Sequence, residues 1–282
     1  MLKEDRPTVN RANSRGSIII ALGILLGSWS CAFALDPSLD VGQYAHTAWK
    51  VSQGFSKGVI FSMAQTADGY LWIGTDSGLF RFDGVRSVQW QPPAGDQLAS
   101  SDIRSLLNAR DGRLWIGTVK GLASWKEGKL THYPQLDGLV IVTLLEDREG
   151  MIWAGGWSLS AGKLCRIQSE KSECIGEDGR FGTGVTALYE DSRGNLWAGA
   201  ITGLWRWKPG PPKLYALPDP PNGINGLIES DDGGILVTKD SGIIKLRDGK
   251  AEAFPPSCQA AVQTRKAVSR PPRRSLDRSS RG

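Results

Sequence analysis

The chain has 282 residues, of which 40% are apolar and 22% charged, and its mean hydropathy is −0.25. This composition is that of a soluble globular protein, and it excludes a multi-span membrane protein, a coiled coil and a wholly disordered chain. The net charge is +5, but residues 257–282 contribute +6 and residues 1–17 contribute +2, which leaves −3 on residues 18–256. The body of the chain therefore has no basic face for nucleic acid.

The N-terminal segment has the pattern of an export signal. A net-positive stretch precedes the 20 uncharged residues of Gly16–Leu35, and Ala32-Phe33-Ala34 is a small-x-small cleavage site. We predict that residues 1–34 are a signal peptide or an N-terminal membrane anchor, since twenty uncharged residues can also just span a bilayer. A buried helix of the domain is the alternative interpretation. The signal predicts export to a bacterial periplasm, or a tether to the inner membrane if it is uncleaved.

Five segments of about forty residues then repeat one pattern. The pattern is apolar alternation, a turn with Asp and Gly, a short strand, and a second turn that ends in Gly-Leu, or in Gly-Ile in the fifth segment; the third segment replaces this second turn with residues 157–162. The recurrent strand position lies at intervals of 43, 38, 44 and 39 residues and is occupied by Trp72, Trp115, Trp153, Trp197 and Leu236. A period near forty with about four short strands is typical of a propeller blade, and the 35 glycines fit many tight turns.

The predicted fold class is therefore all-β, a β-propeller with about five four-stranded blades. It occupies residues 35–254, with blades at about 59–91, 103–133, 140–175, 185–217 and 224–254. In the first blade we predict strands at 59–66, 70–75, 79–83 and 87–91, joined by Asp-Gly, Ser-Gly and Gly-Val turns. A further strand is predicted before the first repeat, at Gln43–Val51, because its Tyr, Thr and Trp residues favour β structure.

The recurrent tryptophans are interpreted as core residues rather than as a ligand channel. A blade packs face to face on its neighbours, so each interface needs a large side chain at one repeated position. Glycine two residues later would let the neighbouring sheet approach. The structural blade-core prediction covers Trp72, Trp115, Trp153 and Trp197. The repeat aspartates Asp68 and Asp111 are expected to form turns, not a catalytic pair.

Cys165 and Cys174 lie nine residues apart around Ser169-Glu170. A two-residue turn there would place Cys165 opposite Cys174 in a non-hydrogen-bonded pair, within disulfide range. A disulfide across this hairpin, two free thiols, and a metal or redox site remain open alternatives. Only two histidines occur in the chain, His46 and His132, and they lie in unrelated segments, so the residues predict no metal and no other cofactor.

The segment Asp68–Gly84, DGYLWIGTDSGLFRFDG, closely resembles the two-component regulator propeller repeat. The lead-in QYAHTAW, at residues 43–49, is also similar to the start of that family's propeller. The resemblance covers residues 40–254; it is strong in repeats one and two, fair in four, and weak in three and five. It implies the extracytoplasmic input domain of a sensor, in which a small β-sandwich domain and a transmembrane helix follow the propeller and lead to a kinase, cyclase or transcription-factor output, often by phosphorelay.

The family's other parts have no counterpart in the sequence. No β-sandwich segment, second membrane span or kinase motif follows residue 254, and residues 255–282 are expected to be a disordered basic tail. The predicted strand at Gln43–Val51 would be surplus to five complete blades. We therefore expect a truncated or frame-shifted product of a larger propeller, with a stand-alone five-bladed propeller as the alternative.

The expected function is a sensory region that binds an unknown small-molecule or protein ligand. It would not bind nucleic acid, would meet a membrane only through its N-terminal segment, and would be homodimeric if part of an intact sensor. A secreted interaction scaffold is the first alternative. A propeller lyase or sugar dehydrogenase is the second, but that would need a cluster of His, Glu or metal ligands. We therefore predict no catalytic residues. Trp157, in the irregular third repeat, is equally consistent with ligand contact and with core packing.

Overall fold

The computed structural model describes residues 48–50, 55–93, 95–168, 171–218 and 223–254. They form five four-stranded sheets in which strands adjacent in sequence pair antiparallel. This confirms the all-β prediction with about five four-stranded blades. Within the described ranges no helix is long and apolar enough to cross a bilayer. The predicted signal or anchor (1–34) and the predicted basic tail (255–282) lie outside the described residues.

The sheets follow one another along the chain and are called blades I to V. Blade I contains β1 (Ile60–Gln65), β2 (Leu71–Thr75), β3 (Gly78–Phe82) and β4 (Ser87–Gln89). Blade II contains β5 (Ile103–Asn108), β6 (Leu114–Thr118), β7 (Gly121–Lys126) and β8 (Lys129–His132). Blade III contains β9 (Val140–Glu146), β10 (Ile152–Trp157), β11 (Gly162–Gln168) and β12 (Lys171–Ile175). Blade IV contains β13 (Val185–Glu190), β14 (Leu196–Ala200), β15 (Gly203–Lys208) and β16 (Lys213–Tyr215). Blade V contains β17 (Gly226–Glu229), β18 (Ile235–Lys239), β19 (Gly242–Arg247) and β20 (Lys250–Phe254).

Short hairpins connect the strands within each blade. In blade I the turn between β1 and β2 closes through a hydrogen bond from the Gly69 backbone N–H to the Thr66 carbonyl, at 2.9 Å. Gly69 has a φ of 88°, a left-handed conformation that glycine adopts without steric cost. The strands predicted for this blade agree with the observed ones to within two residues at each end. The strand bounds of blade I can therefore be predicted from the positions of its Asp-Gly and Ser-Gly turns.

Neighbouring blades pack through their first strands: β1 contacts β5, β5 contacts β9, β9 contacts β13, and β13 contacts β17. Glycine two residues after the recurrent tryptophan makes this approach possible. A Cβ added at Gly117 would lie 2.8 Å from the carbonyl oxygen of Ile141 in blade III, and one at Gly74 would lie 2.7 Å from the Ile103 side chain in blade II. Both separations are too short for a real Cβ contact, so these positions require glycine.

Each blade interface has its own apolar cluster, and each cluster contains the recurrent tryptophan of the preceding blade. The four tryptophan side chains are only 3% to 7% exposed. The interface between blades II and III, for example, joins Trp115 and Leu122 to Ile141 and Ile152. In this structure the four tryptophans therefore lie in the contacts that hold successive blades together.

The first and last blades leave apolar faces uncovered among the described residues. In and just before β1, Val59, Ile60, Phe61 and Met63 are 38% to 58% exposed, and in β17 Ile228 is 56% exposed. In the inner blades, by contrast, the first strands are largely covered by their neighbours on both sides. Blades I and V therefore each present a surface of the kind that the inner blades bury.

The predicted strand at Gln43–Val51 falls largely outside the described residues. Residues 48–50 are described and do not form a strand. The ring of Trp49 instead packs against Phe55 and Phe82, at centroid distances of 6.1 and 5.1 Å. This aromatic group covers the end of β3 in blade I.

Candidate functional site

The recurrent tryptophans donate hydrogen bonds as well as filling the blade interfaces. In three blades the indole N–H reaches the side chain six residues earlier, in the turn after the first strand. The three bonds are Trp72 Nε1 to Thr66 Oγ1 (3.0 Å), Trp153 Nε1 to Asp147 Oδ2 (2.8 Å) and Trp197 Nε1 to Asp191 Oδ2 (2.8 Å). The side chain at this position thus anchors the indole and the turn to each other.

Asp147 combines its indole contact with an ion pair to the next blade. Its carboxylate is almost fully buried, and besides the indole N–H it accepts the backbone N–H groups of Glu149 and Met151. It also accepts the ammonium of Lys208, which comes from blade IV, at 2.7 Å. Burial alone would raise the pKa of Asp147, but the hydrogen bonds from Lys208, Trp153 and Met151 more than offset it, so the net pKa is lowered. The charged form is therefore the stable one at neutral pH.

Blade II departs from this arrangement. Ala109 stands six residues before Trp115, so that position supplies no acceptor. Trp115 Nε1 is buried and has no hydrogen-bond partner among the described residues. The residue that corresponds to Lys208 also differs. In blade IV Lys208 pairs with Leu196, and in blade III the residue in the same place is Ile167, which pairs with Ile152. An apolar Ala–Ile pair thus replaces the ionic Asp–Lys pair at this interface.

A cleft of about 1000 Å³ lies over the altered interface, between blades II and III. Apolar side chains line its floor: Ala109, Trp115, Tyr133, Ile152 and Ile167. Charged side chains form its rim, and these are Arg110, Asp111, Arg113, Lys126, Glu127, Lys129, Glu146, Arg148 and Glu149. The cleft is large enough for a small organic molecule and combines an apolar base with charged walls.

Part of this rim consists of a latch between the two blades. The Arg110 backbone N–H donates to Glu146 at 2.8 Å, and its guanidinium pairs with the same carboxylate at 3.1 Å. The guanidinium also donates to the backbone carbonyls of Asp147 and Arg148. One side chain in the turn of blade II therefore binds the first strand and the turn of blade III.

The same latch recurs at the next two interfaces. Arg148 donates from its backbone N–H to Glu190 at 2.7 Å and from its guanidinium to the Asp191 carbonyl at 2.6 Å. Ser192 donates to Glu229 from both its backbone N–H and its hydroxyl. The sequence analysis missed these contacts, which join residues 36 to 43 positions apart. The sequence feature that could have predicted these contacts is a glutamate at the end of the first strand in blades III, IV and V. It becomes visible when the repeats are aligned.

A second, smaller groove of about 400 Å³ lies where the hairpin between β10 and β11 meets blade IV. Its lining includes Trp157, Leu159, Gly184 and Ile201. Trp157 is half-buried here, and Leu159 is fully exposed. This groove offers no ionisable group, so it has fewer means of selecting a ligand than the cleft between blades II and III.

The two cysteines of blade III lie opposite each other. β11 and β12 pair so that Cys165 faces Cys174 and Gln168 faces Lys171, and a disulfide joins the two sulfurs. Cys165 is fully buried in the cluster shared by blades II and III. The bond therefore ties the outermost strand of blade III to the core beneath the cleft.

We predict that this disulfide stabilises the protein by about 2–3 kcal/mol, the value expected for a loop of this length. The variant Cys165→Ser/Cys174→Ser should unfold at lower denaturant concentration than Cys258→Ser, and a reductant should lower the midpoint of Cys258→Ser while leaving that of the double variant unchanged. Peptide mapping without reduction should recover the two segments as one species. Equal unfolding midpoints under oxidising conditions would contradict the prediction.

The described residues contain no group of three or more His, Cys, Asp or Glu side chains placed to hold a metal ion. Of the two histidines, His132 ends β8, and His46 lies outside the described residues. Asp68 and Asp111 lie in hairpin turns, where each accepts the backbone N–H two residues later.

Repeated four-stranded blades packed through their first strands define a protein of the β-propeller class. Residues 54–77, 97–120 and 179–202 match the family model described as two component regulator propeller. The chain therefore carries repeats of the two-component regulator propeller family, as its sequence predicts. A comparison with curated proteins gave no match.

Several solved structures share the fold. The extracellular domain of BT4673 from B. thetaiotaomicron, a proposed hybrid two component system, is 22% identical with a TM-score of 0.56, and the match covers 71% of this chain and 28% of that one. Virginiamycin B lyase from Staphylococcus aureus is 17% identical with a TM-score of 0.55, and the match covers 69% of each chain. PorZ from Porphyromonas gingivalis is 13% identical with a TM-score of 0.52, covering 70% of this chain and 33% of that one. These identities show a common fold, and the chain spans less than a third of the BT4673 domain.

Proposed function

We propose that this chain is the extracytoplasmic sensory propeller region of a two-component signalling protein. The match of three of its segments to the two component regulator propeller model carries the proposal. The extracellular domain of BT4673 has the same fold, and the basic, then apolar, N-terminal pattern is typical of export. In this role the propeller binds a ligand or a partner and biases an output domain across the membrane.

In this proposal the five blades are part of a larger propeller. The inner blades bury both faces, whereas Phe61 and Met63 in blade I and Ile228 in blade V are exposed. Apolar faces of this kind are covered in a complete repeat array. The transmembrane helix and kinase output would then belong to the remainder of the intact sensor.

An enzyme and a secreted scaffold are the competing functions. Virginiamycin B lyase shows that this fold also supports catalysis, but fold alone does not indicate an activity. Repeats of a two-component family favour the non-catalytic function. A sensor and a scaffold differ in ligand dependence: a sensor should be stabilised by a specific small molecule, and a scaffold only by a protein partner.

The first experiment is a pair of alkaline phosphatase fusions made after Phe254 in a bacterial host. The fusion to residues 1–254 should be active, because this phosphatase folds only outside the cytoplasm, and the fusion lacking residues 1–34 should be inactive. Inactivity of both fusions, with equal amounts of protein present, would rule out export and the proposed sensory role.

Sequencing the gene beyond the codon for Phe254 tests truncation separately. The expected result is a second reading frame that resumes the Gly-x-Leu-Trp-x-Gly pattern.

A further inference from the structure

The hairpin between β10 and β11 in blade III differs from the corresponding hairpin of the other four blades. In those blades the strand pairing ends three residues after the recurrent tryptophan position, as at Thr118–Gly121 in blade II, and a two-residue turn follows. In blade III the pairing continues for one more step, to Trp157–Gly162, and the turn has four residues. Insertions into single repeats of a repeat protein map to loops on one face, which is often the binding face.

The groove between this hairpin and blade IV is held by backbone contacts. The Gly162 N–H donates to the Gly182 carbonyl at 2.7 Å, and the Ile201 N–H donates to the Gly184 carbonyl at 3.1 Å. A Cβ added at Gly162 would lie 2.9 Å from the backbone nitrogen of Gly184, so the close approach requires glycine. The hairpin, the segment before β13 and the turn after β14 therefore fix one another, and the groove is formed before any ligand arrives.

The apolar side chains of this groove can be reached from solvent. Leu159 is fully exposed, Trp157 and Ile201 are partly exposed, and all three line the groove of about 400 Å³. A single exposed leucine is ordinary at a protein surface, but here three large apolar side chains border one concave site. A ligand with an apolar body would remove part of this surface from water, which favours binding.

The polar groups of the groove are unpaired and uncharged. The N–H of Trp157 has no acceptor among the described residues and, unlike the Trp115 nitrogen, its nitrogen is not buried. Ser160 and Thr183 are exposed residues of the lining, and their hydroxyls form no hydrogen bond within the described part of the chain. All three groups can donate to a carbonyl or hydroxyl oxygen of a ligand.

The electrostatics of the groove favour an uncharged ligand. Among the described residues that line it, none has an ionisable side chain. The charged side chains that flank the lining in sequence, Lys163 and Arg180, pair with Glu177 and Asp178 respectively. A charged ligand would lose hydration here without gaining a counter-charge, whereas an uncharged oxygen needs only a hydrogen-bond donor.

We propose that the groove between the blade III hairpin and blade IV binds a small uncharged organic molecule with an apolar body and a carbonyl or hydroxyl oxygen. The apolar body covers Leu159 and Ile201, and the oxygen accepts the N–H of Trp157. The inference rests on the proposed sensory function, for which it names the chemical class of the ligand and the place where it binds.

The experiment is a titration of the full 282-residue chain, followed by the indole N–H signals in nitrogen-15 NMR spectra, with Trp157 assigned by comparison with Trp157→Phe. The probes are benzamide, hexanamide and cyclohexanecarboxamide at millimolar concentration, each with its matched carboxylate and its matched primary ammonium. At least one amide should saturably shift the Trp157 signal. Its two charged counterparts should bind about tenfold more weakly, because their charge is desolvated without a partner.

Two surface variants test whether the groove is the site. Leu159→Ser removes an apolar wall while leaving the Trp157 donor in place, and it should weaken amide binding by about fivefold or more. Val85→Ser is the matched control, because Val85 is also a large exposed apolar residue, 87% exposed, but lies in a turn of blade I. It should bind the amide as the unmodified chain does. Equal unfolding temperatures of the two variants show that a loss of binding is not a loss of folding.

Three results would overturn the inference: no amide shifts the Trp157 signal, a charged counterpart binds as tightly as its amide, or Leu159→Ser binds as well as Val85→Ser. The outcome is independent of the phosphatase fusions. Absence of export would overturn the sensory role while leaving amide binding measurable, and absence of binding would leave the export result intact.

Discussion

Replacing Gly117 with alanine is expected to destabilise the protein by about 3 kcal/mol or more, at the upper end of the cost of overpacking a core. The new Cβ would lie 2.2 Å from the Ser105 hydroxyl and 2.8 Å from the Ile141 carbonyl oxygen. The first contact could be relieved by a side-chain rotation. The second involves the backbone of blade III, so relief requires that blades II and III move apart. Chemical denaturation followed by tryptophan fluorescence measures the effect.

The matched control is Gly226→Ala. Gly226 is also a strand glycine, but a Cβ there would meet only the Thr238 hydroxyl, at 2.9 Å, and a side chain can move aside. We expect its effect to be below about 1 kcal/mol, the range of a tolerated core change. Similar midpoints for the Gly117 and Gly226 variants would show that blade separation is adjustable, against the close packing derived for the interface.

The Trp-x-Gly unit explains why the fold could be predicted from the sequence. Trp153 fills the interface, and Gly155 admits Thr143 of its own blade and Val185 of the next, to within 2.6 and 2.9 Å of a hypothetical Cβ. Because both needs recur at each interface, both residues recur in blades I to IV at intervals of 38 to 44 residues, and blade V has Leu236 in the tryptophan position. Turns that contain glycine mark the hairpins for the same reason. Local chemistry repeated in this way is visible without any knowledge of tertiary contacts.

The cleft could not be predicted in this way, because it depends on a difference between repeats. Ala109 has no feature of its own in the sequence. The importance of this position becomes clear only from the structure, in which the Trp153 N–H donates to Asp147 while the Trp115 N–H has no acceptor among the described residues. The latches were also hidden, since Arg148 and Glu190 resemble ordinary surface charges until the blades are assembled. Sequence periodicity predicts what the blades share, and the structure is needed to show where they differ.

Asp147→Ala is the second substitution for which we expect a large effect, about 3 kcal/mol of destabilisation. The change leaves the buried N–H of Trp153 and two backbone N–H groups without their acceptor. It also removes the nearest of the three carboxylates around the Lys208 ammonium. The effect is measured by denaturant unfolding at neutral pH. Glu149→Gln is the matched control, because Glu149 is exposed and lies 3.6 Å from the same ammonium; a surface pair of this kind contributes about 1 kcal/mol or less.

Part of this loss should be recovered by changing the partner as well. The double variant Asp147→Ala/Lys208→Ile places at the interface of blades III and IV the same pair that Ala109 and Ile167 form between blades II and III. It replaces an ammonium that would keep only Glu149 and Glu190, at 3.6 and 3.9 Å, with an apolar side chain, so it should be more stable than Asp147→Ala alone. Equal stability of the single and double variants would show that these two carboxylates and water are sufficient partners for the lysine. The orphaned indole N–H of Trp153 should then account for the remaining deficit.

The contribution of Asp147 should also depend on pH in a defined direction. Its pKa is lowered in the folded protein from an ordinary value of 3.8, so the folded state favours the charged form. The resulting stability is fully present above 3.8 and is lost as the pH falls through the lower pKa of the folded state. Asp147→Asn keeps an acceptor for Trp153 but cannot ionise, so its deficit relative to the unmodified chain should be constant above pH 5 and shrink below about pH 4. A deficit that stays constant down to pH 2 would show that the carboxylate acts by shape and hydrogen bonding alone, and that its ion pair with Lys208 adds nothing to stability.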